Sequence, residues 1–221
     1  MNFYTSKNLS GVGAILLFVS VLSVPFTPSF GGSFIGLLGL ILMLIGVKGL
    51  ADYYREAGIF NNMLYGTIAG IVGVVVAVAV AVIAVIASLS SFLYKIFPGW
   101  NGDWASLSGM IPNTSNLTLS DFVPFITAAL AVFVILFVFT ILVALLYRRS
   151  LSSLKEKSGI GLFGSTGTVL LIGAVLTIIL IGYLILWIAI LLLAVAFFEL
   201  RPQPPQSTPT AQTTMTPQTT V

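Results

Sequence analysis

Between Met63 and Leu93 the chain carries no charged residue, and its middle, GTIAGIVGVVVAVAVAVIAVIA over 66–87, alternates Val with Ala as a strand might. The same Gly and Ala residues also recur at spacings of three and four, as on one face of a helix. A half-buried strand alternates apolar with polar side chains, and here both faces are apolar, so neither an open sheet nor a barrel lumen accommodates the segment. Val weakens a helix in water by about 0.5 kcal/mol, whereas an unpaired backbone group in hydrocarbon costs several. The run reads as a transmembrane helix. Composition supports that solvent: 58% of the 221 residues are hydrophobic and 7% charged, against about 25% charged in soluble domains. So few charges cannot cover a soluble fold's surface, and the fold class read from the sequence is an all-α, polytopic transmembrane bundle.

Runs long enough to cross about 30 Å of hydrocarbon recur along the chain. The expected transmembrane domain covers 1–201, with segments near 9–24, 34–50, 63–93, 122–147, 167–181 and 183–198. The first is short and ends at Pro25, Pro28 and the Gly31-Gly32 pair, which break a helix. A signal peptide competes with it, Lys7 serving as the charged region, but a convincing cleavage pattern is missing before Pro25. The fourth begins at Ser120-Asp121 with Pro124 in its first turn, an acceptable helix start.

Arg148, Arg149, Lys155 and Lys157 are expected in one short loop (148–158), Lys48 and Arg55 in another, and Lys7 precedes the first segment. The positive-inside rule puts all three regions in the cytoplasm and the 95–121 loop outside. That loop carries two glycosylation sequons, at Asn113 and Asn116, which agree with an outside location. Localisation in the plasma membrane follows as an expectation.

The run from Gly167 to Phe198 is about 48 Å long as a single helix, too long for one span at ordinary tilt. A hairpin around Ile181-Gly182 divides it into two short segments, brings Tyr183 and Trp187 near an interface, and returns Arg201 to the cytoplasm. One Gly and no Pro at the turn argue the other way, so five or six segments remain open, with six preferred. A faint repeat supports six: VGAIL at 12–16 followed by IGLLGLIL from Ile35 resembles IGAVL at 172–176 followed by IGYLILWI from Ile181. Beyond it, 202–221 is rich in Pro, Thr and Gln and reads as a disordered tail.

The inventory narrows the chemistry. The chain has no Cys and no His, which removes thiolate and imidazole catalysis, disulfides and the usual soft-metal sites. Neither an enzyme, a cofactor, a metal site nor nucleic-acid binding is expected. Ion-coupled transport relies on ionisable residues inside spans, and here Lys48, Asp52, Lys95, Asp121 and Glu199 all fall at segment ends. GIGLFGSTG at 159–167 lacks the lysine of a phosphate loop and reads as a flexible entry into the last segment. GWNGDW at 99–104 has too few oxygen ligands for calcium, and Trp100 and Trp104 read as interface anchors.

One feature stands above this background. Gly66, Gly70, Gly73, Ala77, Ala81, Ala84 and Ser88 follow one another at helical spacing on the third segment. In lipid, close backbone approach through small residues is a main route to helix association. The stripe marks a packed face toward another helix of the chain, a membrane-protein partner or a second copy.

LSGVGAILL near the start, IGLLGLILMLIGVKGLADYY, REAGIFNNMLYGTIAGIVG and the terminal IGAVLTIILIGYLILWIAILLLAVAFFEL resemble the domain of unknown function 996 family, multi-pass membrane proteins found mainly in archaea. The resemblance implies an all-helical membrane protein and transfers no activity or site residue. The expected function is therefore a structural or accessory membrane protein working through helix packing in the lipid bilayer. A small-solute channel or transporter is the alternative.

Overall fold

The computed structural model describes residues 2–23, 31–115 and 117–202. Six α-helices account for most of them: α1 (Phe3–Ser23), α2 (Gly31–Tyr54), α3 (Ala57–Ile96), α4 (Val123–Ser158), α5 (Gly161–Leu176) and α6 (Ile181–Glu199). No strand occurs among the described residues. By length and composition, five helical stretches suffice to cross a membrane: 34–54, 57–96, 119–158, 161–179 and 181–199. The protein is an all-α, polytopic membrane bundle. The chain beyond Pro202, read as a disordered tail, lies outside the described residues.

Each helix packs against its neighbours in the chain, and α6 closes the ring on α1. The arrangement is three hairpins, with α1–α2 and α5–α6 flanking α3–α4. A glycine on the first helix of each lets its partner come close. A Cβ on Gly13 would strike the backbone of Gly39 and Met43, one on Gly73 would lie 2.5 Å from the Phe139 ring, and one on Gly173 would lie 3.0 Å from Leu186. Gly13 and Gly173 fall at matching places in the two repeat copies. A second correspondence runs across the turns: buried Leu50, Ala51 and Tyr54 of α2 match Ser150, Leu151 and Leu154 of α4 one hundred positions later. Met63, Gly66, Thr67 and Gly73 of α3 match buried Phe163, Thr166, Gly167 and Gly173 of α5 in the same register.

The basic ends other than that of Lys95 meet on one side. Arg55, with φ 52°, and Gly159, with φ 75°, turn the chain sharply between α2 and α3 and between α4 and α5. The Lys7 ammonium donates to the Leu200 carbonyl at 2.8 Å, so the end of α6 sits beside the start of α1. The main core gathers here, around Leu50, Ile59, Leu151, Leu154, Phe163 and Phe197, all nearly inaccessible.

Several expectations change. Residues 148–158 are not a loop, because α4 continues to Ser158 and the turn is confined to the next residues. Apolar contacts of Leu151 and Leu154 with the core hold those turns helical although the flanking positions, Arg148, Arg149 and Lys155 to Lys157, are charged. The glycine-rich 159–167 segment is likewise not a flexible entry, since α5 is helical from Gly161. Two of its glycines, Gly164 and Gly167, serve close packing against Lys155 and Arg148 of α4. The break in the long terminal run falls at Leu180, which takes a left-handed conformation with φ 63°, rather than at Ile181-Gly182. Gly182 is still essential to the turn: a Cβ there would collide with the backbone of Gly173, Leu176 and Thr177.

Candidate functional site

The small-residue stripe of α3 lies against α4 of the same chain. A Cβ on Gly66 would come within 2.7 Å of the Tyr147 ring, whereas one on Gly70 would make ordinary contact with Val143 at 3.5 Å. Gly66, Gly73 and Ala77 are buried. Farther along, Ala81, Ala84 and Ser88 are only half-buried, so the face is tight near the basic end and looser toward the connection to α4.

Two polar contacts fasten the tight end. Thr67 Oγ1 donates to the Met63 carbonyl at 3.0 Å, which leaves it to accept the Tyr147 hydroxyl at 2.9 Å. Ser150, fully buried on α4, donates to the Ile59 carbonyl in the first turn of α3. A hydroxyl in an apolar interior is costly unless bonded, so each of these pairs specifies one register between the helices. Neither partner was evident in the sequence, because a Ser or Thr within an apolar run more often bonds back to its own helix, as Thr140 does to Leu136 at 2.7 Å.

The far end of this hairpin is fastened by charge. Lys95 Nζ donates to both carboxylate oxygens of Asp121, at 2.5 and 2.6 Å. Asp121 also accepts from the Thr118 backbone N–H at 2.7 Å, which starts the turn into α4. Pairing, rather than separate snorkelling, therefore accounts for these two residues. Trp100 is buried in the connection, donates from Nε1 to the Asp103 carbonyl at 2.7 Å and packs on Tyr94 and Trp104, so of the two tryptophans only Trp104 is exposed. Asn113 is exposed, and its side chain accepts from the Ser115 N–H at 3.1 Å. Asn116 lies outside the described residues.

At the middle of the ring, where all six helices contribute, lies a cavity of about 360 Å³. Leu17, Leu40, Gly73, Phe139, Leu170 and Leu186 are among its walls, and its hydroxyls belong to Thr140 and Tyr147, both already donating within the protein. A second hollow, lined from α2, α3 and α4, shares Leu40, Gly70, Val74, Val143 and Tyr147 with it. No Asp, Glu, Lys or Arg reaches either space. Trp187, expected near an interface, ties α6 to α1. Its ring stacks on Phe18 at 4.6 Å, and its Nε1 donates to the Phe18 carbonyl at 3.3 Å. Among the described residues no group of acidic side chains has the makings of a metal centre.

The sequence model of the family described as Protein of unknown function (DUF996) matches residues 35–191. The chain belongs to this family. No curated protein and no solved structure matches it. The DUF996 match begins within α2 and ends within α6, so it takes in the α3–α4 seam, both tight turns on the basic side and the break at Leu180. It leaves out α1, which the fold nevertheless uses to close the ring.

Proposed function

We propose that this DUF996 protein is a structural or accessory component of the plasma membrane that works by helix packing, without catalytic activity or cofactor. The observation that carries the reading is the character of the interior. A permeation path needs a continuous polar surface, whereas the central cavity has apolar walls with internally bonded hydroxyls, and the nearly inaccessible core gathers at the basic side of the ring. The lipid bilayer is then the first partner. A membrane protein or second copy would meet the looser half of the stripe, at Ala81, Ala84 and Ser88.

In this reading the basic side, with the N-terminus and residues 148–158, faces the cytoplasm, and the connection carrying Asn113 faces outward. The hairpin at Leu180 makes α5 and α6 two separate crossings and returns the chain end to the cytoplasm. The alternative, a small-solute channel or transporter, draws on the closed ring of helices. Reconstitution into liposomes loaded with ions or small fluorescent solutes separates the two. Retention equal to that of protein-free liposomes is expected, and release dependent on the protein would sink the packing reading.

A further inference from the structure

A third concavity, of about 490 Å³, lies on the outer surface between α4 and α5, on the basic side of the bundle. Its walls include Arg148, Ser152 and Lys155 from α4 and Gly164, Ser165 and Thr168 from α5. The spacing of Arg148, Ser152 and Lys155 puts them on one face of α4, four and three residues apart. The facing glycines bring the two cations into the groove. A Cβ on Gly164 would lie 2.7 Å from Lys155 Cδ, and one on Gly167 would lie 3.2 Å from Arg148 Cγ, so both aliphatic stems rest on α5 where larger residues would displace them.

The charge in the groove is uncompensated. Among the described residues neither the Arg148 nor the Lys155 side chain has an ion-pair or hydrogen-bond partner, and Glu56, which pairs with Lys157 at 3.3 Å, does not line the groove. Glu156 lies outside the lining. Ser152 and Ser165 likewise have hydroxyls without a protein partner among the described residues, while Thr168 donates to the Gly164 carbonyl at 3.1 Å. Two cations and two free hydroxyl donors facing one concavity are the complement of a phosphate group. The groove stands where the uncharged run of α4 ends at Tyr147 and that of α5 begins, which is the level of lipid headgroups.

We propose that the groove between α4 and α5 binds the phosphate of an anionic phospholipid, held by Arg148 and Lys155 with Ser152 and Ser165. Its acyl chains would run along the apolar surfaces of the same two helices. The site is independent of what the bundle does as a whole.

Native mass spectrometry of the full chain in neutral detergent, offered equal amounts of phosphatidylglycerol and phosphatidylcholine, tests the assignment. The wild-type protein is expected to retain the anionic lipid with a preference of roughly thirtyfold, the order set by two cations at a membrane surface. Arg148→Gln with Lys155→Gln should bring retention of the two lipids close to parity. Arg149→Gln with Arg201→Gln, which removes the same charge elsewhere on the basic side, should leave the preference in place. Gly164→Ala keeps every charge but pushes the Lys155 stem aside, and should lower the preference a few-fold in a protein that still folds. Equal loss in both double variants, no preference in the wild type, or no effect of Gly164→Ala would each overturn the proposal. An arm with excess sodium phosphate distinguishes the source of the ligand. Displacement of the lipid by phosphate at comparable concentration would make the site one for a soluble anion and overturn the lipid assignment, and continued retention supports it.

Discussion

The α3–α4 and α5–α6 hairpins are made of nearly the same residue types, yet they solve the problem of staying paired in lipid differently. The helices of the first have 40 and 36 residues and those of the second 16 and 19. At 1.5 Å per residue that is about 60 Å against less than 30 Å, so the long pair overshoots the hydrocarbon thickness while the short pair barely matches it. The long hairpin is clamped at both ends by polar contacts, Ser150 to Ile59 and Thr67 to Tyr147 at one and Lys95 to Asp121 at the other. The short one has no such clamp and depends on backbone shape, with Leu180 left-handed and Gly182 pressed against the carbonyl of Gly173. Burial does not set helix length here. Backbone hydrogen bonds must be satisfied inside each segment whatever it packs on, so a helix can run far beyond its neighbours.

If shape alone holds the short hairpin, its most sensitive position is Gly182. Gly182→Ala places a methyl group onto backbone atoms that cannot swing aside, and should destabilise the protein by about 2–3 kcal/mol, read as a lower thermal midpoint in detergent. Insensitivity there would mean that the turn has room the structure does not show. On the long hairpin Gly73→Leu should cost about 1–3 kcal/mol by driving Phe139 away, and Val75→Leu or Val82→Leu, both on exposed faces, less than about 0.5. Gly70→Ala should be close to neutral, because its nearest neighbour stands at contact distance. Equal losses at all these positions would remove the distinction between the stripe and the other faces.

The polar clamps give a smaller effect of another kind. Lys95 is 36% exposed at its side chain and Asp121 16%, so solvent screens the pair. A double-mutant cycle with Lys95→Met and Asp121→Asn should give a coupling well below the losses at Gly182 and Gly73. Its clearer signature is local: faster hydrogen exchange in the connection between α3 and α4, with α5 and α6 unchanged. Smaller still is Trp187→Phe, which keeps the stacking on Phe18 and removes only a long hydrogen bond, worth roughly 0.5–1 kcal/mol.

Most of the helical content was readable because long uncharged runs have one solution in lipid, and the stripe from Gly66 to Ala77 was readable because small residues at helical spacing leave few other uses. The misread parts share a cause: they lie where the apolar signal stops. Arg148 to Lys157 looked like a loop because charges outnumber apolar residues, yet Leu151 and Leu154 supply a buried stripe that keeps α4 helical. The glycines of 161–167 looked flexible because glycine is poor in soluble helices, while here Gly164 and Gly167 let the stems of Lys155 and Arg148 lie close. The partner of Trp187 was not readable for a different reason. The bond from Trp187 to Phe18 spans 169 residues of sequence, a pairing no local pattern announces. The cavity is of the same kind, since its walls come from all six helices.

In the proposed topology α5 and α6 are two crossings, which return the chain to the side on which it began. Since the chain has no Cys, a single cysteine reports its own location. Thr214→Cys and Asn113→Cys, each introduced alone, should be treated in sealed cells with a membrane-impermeant maleimide and again after permeabilisation. The structure leads us to expect Asn113→Cys to label in sealed cells and Thr214→Cys only once the membrane is opened. Labelling of both in sealed cells would place the chain end outside and contradict the two-crossing hairpin.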